Sequence, residues 1–408
     1  MKVFLVGGAV RDALLHLPVK DKDWVVIGST PAAMLAKGFQ QVGKDFPVFL
    51  HPDSHEEYAL ARTEQKSGNG YTGFTICSTP NVTLEQDLQR RDLTINAIAQ
   101  DEHGRLFDPY NGQYDLSNRN LRHVSKAFSD DPLRVLRIAR FAASFAHLNF
   151  RIVQSTQELM STMSKSGELA YLTVERIWKE TEKALLTRNP QVYFQVLHDC
   201  GALAVLFPEL NSLFSILDSL RYYCGIDAII HSLMTLSTVA TLSNELDVRF
   251  ATLFYGIKML TSWIRFPSHC NDQLSEIDLM KKFCQRLHVP HQIRDLALIS
   301  TECHDTIKNI ESLSANSLIA FFDRIDAWRK PQRVRKIALI SEANARTNSN
   351  CNIVFSQANY LRTVFTLACT IPIKEIISAG FKGEKIKEEL TRRRIMVVDN
   401  FLASKNIA

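Results

Sequence analysis

The strongest constraint on the fold is a change of pattern near residue 125 of the 408-residue chain. Before that point, short runs of β-branched and apolar residues alternate with glycine turns and helix-like segments, as is typical of an α/β domain. From Pro132 onward the spacing of apolar residues is helical almost throughout, and glycine becomes rare. We therefore predict an α/β head followed by three all-α domains, with bounds at 1–125, 126–220, 221–330 and 331–408.

Four short runs in the head are predicted β-strands, at residues 3–6, 24–27, 46–50 and 57–62. The first run ends in the Gly7-Gly8 pair, after which a helix is predicted over residues 10–17, ending at Pro18. Such a turn leaves backbone N–H groups at the start of the helix free to bind an anion. Arg11 adds a forked cationic donor to the same place.

Asp21 and Asp23 lie one residue apart, directly before and at the start of the second run. Because alternate side chains of a strand share a face, both carboxylates are predicted to point the same way and to suit Mg²⁺. A solvated loop would also explain the pair, and an ordinary strand-to-helix connection would explain the glycine turn. Their occurrence together within 17 residues favours a site for metal and phosphate.

Two arginine-rich segments offer further groups for an anion. Arg90-Arg91-Asp92 is either a triphosphate clamp or a set of surface ion pairs near a helix start. Further along, Asp131 precedes a proline and is a good helix cap, but a cap does not explain Arg134, Arg137 and Arg140 on one face of the same helix. That face has no alternating acids and therefore indicates an anionic ligand. Asp131 and Arg134 together offer an acceptor and donors that can read the edge of a base.

Composition sets broader limits. Hydrophobic residues make up 46% of the chain, enough for several cores, and the formal charge of +5 permits an anionic partner without requiring one. The eight cysteines form no CxxC pair, so neither a disulfide framework nor a zinc ribbon is indicated. No apolar run has membrane length and no signal peptide is evident, so a cytoplasmic protein is expected.

At this point the motifs resemble those of the bacterial class II CCA-adding enzymes, which are tRNA nucleotidyltransferases, and most of all the long multidomain members from gamma-proteobacteria. The resemblance rests on Gly7-Gly8-x-Val10-Arg11-Asp12, Asp21-x-Asp23, Arg90-Arg91-Asp92-x-Thr94-Ile95-Asn96-Ala97 and Asp131-Pro132-x-Arg134-x-x-Arg137-x-x-Arg140-Phe141. It implies a polymerase-β-like head, then a helical neck, an HD-like domain and a helical tail. It also implies addition of C, C and A to tRNA 3′ ends from CTP and ATP, without a template.

By the same resemblance, Asp21 and Asp23 would hold two Mg²⁺ ions, and Asp131 with Arg134 would read the incoming base. The residues implied to contact the nucleotide are Gly8, Arg11, Arg91, Arg137 and Arg140. Glu57 is a candidate third carboxylate. The implied partner is tRNA, held at its acceptor arm and elbow through phosphate contacts with basic residues of the tail.

In the third domain, the resemblance and the residues point in opposite directions. Long members of the family carry a metal-dependent HD phosphohydrolase domain, whose adjacent His-Asp pair would align with positions 255 and 256. The chain has Tyr255-Gly256 there, and a phenol that stays protonated near pH 7 is a poor metal ligand. We therefore predict that the hydrolase activity is lost, and that His231, His304 and Asp305 are structural.

The glycine-rich segment 67–73 is predicted to be either a mobile loop near the site or a simple hairpin connection. Two other functions stay open on the sequence alone. A poly(A) polymerase shares the head motifs but typically has a longer basic C-terminal extension than a chain ending soon after Arg394. A non-catalytic tRNA-binding protein would be free to lose Asp21 and Asp23, which are both present.

Overall fold

The computed structural model describes residues 1–42, 48–66, 74–211, 228–255, 276–348 and 356–407. They belong to two compact units, Met1–Asn211 and Ser212–Ala408. The predicted fold class is confirmed, because an α/β head is followed by a part that is almost entirely helical. The division into four domains stays a prediction, and segment 67–73 lies outside the described residues.

The strands lie almost entirely in the head. They are β1 (Lys2–Val6), β2 (Asp23–Ile27), β3 (Gln40–Val42), β4 (Val48–Leu50), β5 (Glu57–Leu60), β6 (Thr63–Lys66), β7 (Phe74–Cys77), β8 (Ala99–Gln100), β9 (Leu106–Phe107), β10 (Asn120–Leu121) and β11 (Arg151–Ile152). In the described part of the chain, seven of them form one mixed sheet in the order β3-β4-β5-β2-β1-β8-β9, while β6 pairs with β7 and β10 with β11.

The helices of the first unit surround this sheet and continue beyond it. They are α1 (Gly8–Leu14), α2 (Pro31–Ala36), α3 (Leu84–Gln89), α4 (Gly112–Ser117), α5 (Leu133–Phe145), α6 (Gln154–Lys165), α7 (Val174–Leu185), α8 (Gln191–Asp199) and α9 (Ala202–Leu206). Short 3₁₀ turns occur at Thr94–Asn96, Lys126–Asp130, Ala146–Leu148 and Glu168–Tyr171.

Both faces of the central sheet are buried. Val25 and Val26 are neighbours on β2, yet they belong to different hydrophobic clusters, because successive side chains of a strand point to opposite faces. One cluster includes Phe4 and Leu88, and the other includes Met34. A strand buried on both sides is rigid, so its first residue, Asp23, has a fixed position.

The second unit is helical throughout its described residues. Its helices are α10 (Ala228–Leu242), α11 (Leu246–Tyr255), α12 (Glu276–Arg286), α13 (His291–Glu302), α14 (His304–Lys308), α15 (Ala315–Arg324), α16 (Gln332–Asn348), α17 (Ser356–Ala368), α18 (Ile373–Ser378) and α19 (Glu384–Ile407), with a 3₁₀ turn at Ile310–Ser312. Within the described ranges, no helix combines the length and apolar character that a membrane span requires.

The first helix differs from its predicted bounds. It begins at Gly8 rather than residue 10, because Gly7 adopts φ +72°, a left-handed conformation that is open to glycine and lets the chain turn at once. It ends at Leu14, and His16 has φ +56°, so the helix stops before Pro18 is reached. The glycine turn is therefore tighter than the sequence pattern indicated.

Candidate active site

The turn between β1 and α1 brings two arginine side chains against the backbone. A Cβ atom added at Gly7 would lie 2.9 Å from Arg91 Nη1, and one added at Gly8 would lie 3.5 Å from Arg11 Nη2. Because α1 has only seven residues, its N-terminus contributes little positive charge. These guanidinium groups therefore supply most of the positive charge at the turn. The glycines allow that close approach.

Of the two predicted metal ligands, Asp23 is the first residue of β2 and Asp21 lies two residues before that strand. Asp23 pairs in register with Val6 of β1 on one side and with Glu57 of β5 on the other, so Asp23 and Glu57 share a face. Both Asp21 and Asp23 are exposed, and their carboxylates make no hydrogen bond or ion pair with any residue that the structure describes. Two unengaged oxygen donors of this kind fit a divalent cation.

A third protein ligand is not preassembled. Among the described residues, no group of three His, Cys, Asp or Glu side chains is arranged to hold a metal ion. A role for Glu57 therefore stays a prediction, supported by its register beside Asp23.

A cavity of about 490 Å³ opens beside Asp23 and the glycine turn. The described residues that line it include six arginines and four acids, which leaves two net positive charges. They are Arg11, Arg90, Arg91, Arg134, Arg137 and Arg176, with Asp23, Glu64, Asp92 and Asp131. Asp21 and Arg140 are not among the lining residues. The charge and volume suit a nucleoside triphosphate.

Arg90 and Arg91 are adjacent in sequence but have different surroundings. Arg90 donates to Asp87, to Glu64 and to the carbonyl of Arg62, at 2.7 to 3.2 Å. Arg91 Nη2 donates to Asp87 Oδ2 at 3.3 Å, while its buried Nε has no partner among the described residues. Of the two arginines, Arg91 is therefore the better candidate to bind an anionic oxygen.

Arg11 is held by groups from two parts of the first unit. Its Nη1 donates to Asn96 Oδ1 at 2.6 Å and its Nε donates to Asp12 Oδ1 at 2.8 Å. Its guanidinium also lies over the rings of Phe145, 4.9 Å from the centroid, and Phe141, at 5.4 Å. The side chain is thus buried and oriented along the cavity wall.

Two arginines of α5 have acidic partners from other segments, although α5 itself offers none, and their contact with an anionic ligand stays a prediction. Arg137 Nη2 lies 2.7 Å from Asp92 Oδ2, and Arg140 Nε donates to Glu180 Oε2 at 2.6 Å. Burial would raise the pKa of Asp92, but the Arg137 guanidinium and a hydrogen bond from Asn96 hold that pKa far below its ordinary value. The partners come from residues 40 and 45 positions away, which helix periodicity does not reveal.

The carboxylate of Asp131 makes contacts within the protein and remains partly exposed. Its Oδ1 accepts from the backbone N–H of Leu133 at 3.1 Å, so it caps the start of α5 as its position suggested. Arg176 Nη2 donates to both of its oxygens, at 3.3 and 3.0 Å. Arg134 donates instead to the carbonyls of Ala127, at 2.6 Å, and Arg90, at 2.5 Å.

Arg176 was missed by the sequence analysis. It lies in the first turn of α7 and lines the cavity, although nothing in its local pattern separates it from a surface arginine. The available signal was weak, namely a cation directly before the buried Ile177 and Trp178.

In the second unit, Tyr255 occupies the position where an HD pair would begin. It is buried, its ring centroid lies 4.7 Å from that of His304, and His304 Nδ1 lies 3.2 Å from Asp305 Oδ1. Burial raises the pKa of the Tyr255 phenol, and a hydrogen bond with Ser341 offsets this in part. Gly256 lies outside the described residues.

The first half of the chain matches the models of known protein families. Residues 3–122 match the poly A polymerase head domain, and residues 149–214 match the probable RNA and SrmB-binding site of polymerase A. The α/β head of this chain is therefore similar, over nearly all of its length, to the head domain of the poly A polymerases. Nucleotidyltransferases of the poly A polymerase superfamily use divalent metal ions.

Comparison with solved structures extends to the whole chain. The CCA-adding enzyme of Bacillus stearothermophilus in complex with CTP is similar with a TM-score of 0.65 and 21% identity, over 99% of this chain and 93% of that one. The Thermotoga maritima CCA-adding enzyme complexed with tRNA gives 0.61 and 20%, over 99% and 91%. A CCA-adding enzyme with ATP gives 0.62 and 20%, over 100% and 89%. The chain therefore has the fold of the CCA-adding enzymes.

The close approach at Gly7 predicts a specific effect of Gly7→Ala. Gly28 also has a positive φ, +68°, but an added Cβ there meets no described atom within 4 Å, so Gly28→Ala is a matched control. Both changes should cost about 1–2 kcal/mol of folding stability through backbone strain. Gly7→Ala should in addition weaken CTP and ATP binding by roughly tenfold, because Arg91 must move.

Isothermal titration calorimetry with CTP and ATP, beside urea unfolding of each variant, measures both effects. Equal nucleotide affinity in the two variants would contradict the placement of Arg91 against the turn.

Proposed function

Because the chain carries a head similar to that of the poly A polymerases on the fold of the CCA-adding enzymes, we propose that it adds C, C and A to the 3′ ends of tRNA, using CTP and ATP and no nucleic-acid template. The observation that carries the proposal is the cavity in which Asp23, the Gly7-Gly8 turn and the arginine side chains meet. The relatives' complexes with CTP, ATP and tRNA support it.

Asp21 and Asp23 are the residues that would hold magnesium. When bound, two Mg²⁺ ions would lower the barrier to in-line displacement by activating the 3′-hydroxyl and neutralising the triphosphate. Both carboxylates are exposed, Asp23 at the first position of β2 and Asp21 two residues before it, so they can bind without first breaking an internal ion pair. Carboxylate oxygens are also the ligands that suit this ion.

The nucleotide's phosphates would be held by residues around the glycine turn and α5. These are Gly8, Arg11, Arg91, Arg137 and Arg140. Because a guanidinium has five N–H donors, Arg137 can bind a phosphate while it remains paired with Asp92. Arg140, which is bound to Glu180 and does not line the cavity, would need a shift of its side chain to join them.

Asp131 and Arg134 would read the base. Cytosine and adenine both present an exocyclic amino group as donor, whereas uracil and guanine present a carbonyl oxygen at the corresponding position. A carboxylate at that point therefore accepts the first two bases and repels the other two. Asp131 lines the cavity with part of its carboxylate exposed. Arg134 also lines it, and since its terminal nitrogens donate to the carbonyls of Ala127 and Arg90, it would use its remaining N–H groups.

The acceptor arm and elbow of tRNA would lie on basic residues of the tail. Several of the expected cations are already engaged, since Arg335 pairs with Glu245 and Arg392 with Glu389. The lysines at 382, 385 and 387 are exposed in the region around α19, which leaves them for contacts with the phosphate backbone. Such contacts carry no sequence preference, so they would accept every tRNA.

One experiment separates this function from the two alternatives. Purified protein is incubated with Mg²⁺, CTP, ATP and a tRNA that lacks its 3′ CCA, and the RNA ends are sequenced. Addition of CCA is the expected result. A long A tail would support a poly(A) polymerase, the candidate that the head-domain match also favours. Unchanged ends would support a non-catalytic tRNA-binding protein.

Replacing either metal ligand should abolish nucleotide addition. In Asp21→Asn and in Asp23→Asn, a neutral amide replaces the charged ligand, so addition should fall by at least about 1000-fold while tRNA affinity stays near normal. Asp53→Asn, which changes an exposed carboxylate elsewhere in the head, is the control. Single-turnover extension and filter binding measure the two quantities. Near-normal extension by either variant would remove the two-metal assignment.

Base selection and phosphate binding should separate in a pair of arginine variants. Arg134→Ala should blur the choice between CTP and ATP more than it weakens triphosphate binding. Arg91→Ala should weaken both nucleotides alike, by roughly 10- to 100-fold, because its buried Nε faces no other partner that the structure describes. The kcat/KM values for CTP and ATP measure this. The same uniform loss in both variants would exclude a base-reading role for Arg134.

We also propose that the HD-like domain lacks hydrolase activity. Tyr255 is a buried phenol packed on His304, and losing a metal's central ligands should reduce turnover by more than the roughly 10–100-fold seen for losses beyond the ligands themselves. The test is hydrolysis of 2′,3′-cyclic AMP across Ni²⁺, Mn²⁺, Mg²⁺ and Co²⁺, beside the Tyr255→His, Gly256→Asp double variant. Turnover by the unmodified chain that His304→Ala abolishes would overturn the proposal.

A further inference from the structure

Arg176 fixes the carboxylate of Asp131 at the edge of the cavity. One terminal nitrogen, Nη2, donates to both oxygens of Asp131 across 45 positions of sequence. Each side chain keeps 22% of its exposure, so the pair lies at the cavity surface rather than in a core. The backbone N–H of Leu133 also donates to Oδ1, at 3.1 Å. The carboxylate is therefore held by one side chain and one backbone group.

The helix that carries Arg176 is itself fixed against α5. Ile177 and Trp178, which follow Arg176 on α7, are buried. Glu180, one turn beyond Arg176 and on the same face, binds Arg140 of α5 at 2.6 Å. Two ion pairs one helical turn apart define how α7 is rotated about its axis, so Arg176 stays opposite Asp131.

The Arg134 side chain does not hold the Asp131 carboxylate in this way. Both of its terminal nitrogens donate to main-chain carbonyls, and the residue is only 8% exposed. Its link to Asp131 in the described structure is a backbone one, from its N–H to the Asp131 carbonyl at 3.0 Å. Among the described residues, the side chain that donates to the Asp131 carboxylate is Arg176.

We propose that Arg176 is a positioning residue that determines base specificity by aiming the Asp131 carboxylate at the exocyclic amino group of cytosine or adenine. The inference rests on the proposed function and adds a residue to it. A carboxylate oxygen has two lone pairs, so Asp131 can accept from a base while it remains bound to Arg176. A fixed carboxylate also repels the carbonyl oxygen of uracil or guanine, whereas one free to rotate can turn away from it.

The test compares four nucleotides in four variants. CTP, ATP, UTP and GTP are titrated by calorimetry and assayed for incorporation with the unmodified chain and with Arg176→Ala, Arg176→Lys and Lys179→Ala. Lys179 is an exposed cation on the same helix and serves as the matched control. Arg176→Ala should lower the CTP-to-UTP ratio of kcat/KM by roughly 10- to 100-fold. Arg176→Lys should restore part of the ratio, and Lys179→Ala should leave it unchanged.

A structural role alone would give a different result. An equal loss for all four nucleotides, or an unchanged CTP-to-UTP ratio in folded Arg176→Ala, would overturn the proposal. In an Asp131→Asn background, Arg176→Ala should cause no further change in the ratio, and an additional loss there would also overturn it. If Arg176→Ala does not fold, Arg176→Lys decides, and a CTP-to-UTP ratio equal to that of the unmodified chain would overturn the proposal.

The outcome is separable from that of the proposed function. An unmodified chain that leaves tRNA ends unchanged would refute CCA addition. The ratio of CTP to UTP affinities, measured by calorimetry without tRNA, would still test Arg176.

Discussion

The geometry of the cavity depends on the ion pair between the buried Asp92 and the partly exposed Arg137. Removing a carboxylate from water costs several kcal/mol, and the cost is offset only when its lone pairs are satisfied. Asp92 meets this condition through Arg137, Asn96 and the backbone N–H of Leu93. Because removing Arg137 would leave the charge of Asp92 buried without its ion-pair partner, this pair holds the segment after α3 against α5. The arginines of α5 thereby face the glycine turn.

The acids around the cavity offset the mutual repulsion of its arginines. Six guanidinium groups in one cavity would repel each other, and an empty site would be unstable. Four acids among the lining residues reduce the excess to two charges, and Glu180 neutralises Arg140 beyond the wall. The remaining excess and the buried Nε of Arg91 favour an anion without making the empty cavity collapse. A triphosphate would therefore bring negative charge to a cavity that still has a positive excess.

Local patterns predicted the parts of this site that depend on local structure. The period of two placed Asp23 at the start of a strand, and the glycine pair located the turn beside it. The same reasoning did not reveal the acidic partners of the α5 arginines, because Asp92 and Glu180 approach from distant segments. It also missed Arg176 and could not separate Arg90 from Arg91, since neighbours of identical type differ only in their tertiary partners.

Stability and chemistry are assigned to different residues in this molecule. Asp21 and Asp23 are exposed and bonded to nothing in the described structure, so the fold does not need their charges. Tyr255 is the opposite case, because a side chain unsuited to a metal is buried, with its ring 4.7 Å from that of His304. Burial of an aromatic ring stabilises a helical core without any coordinated metal. The head, in contrast, keeps exposed carboxylates that contribute little to packing, which is what a site for a transient ligand requires.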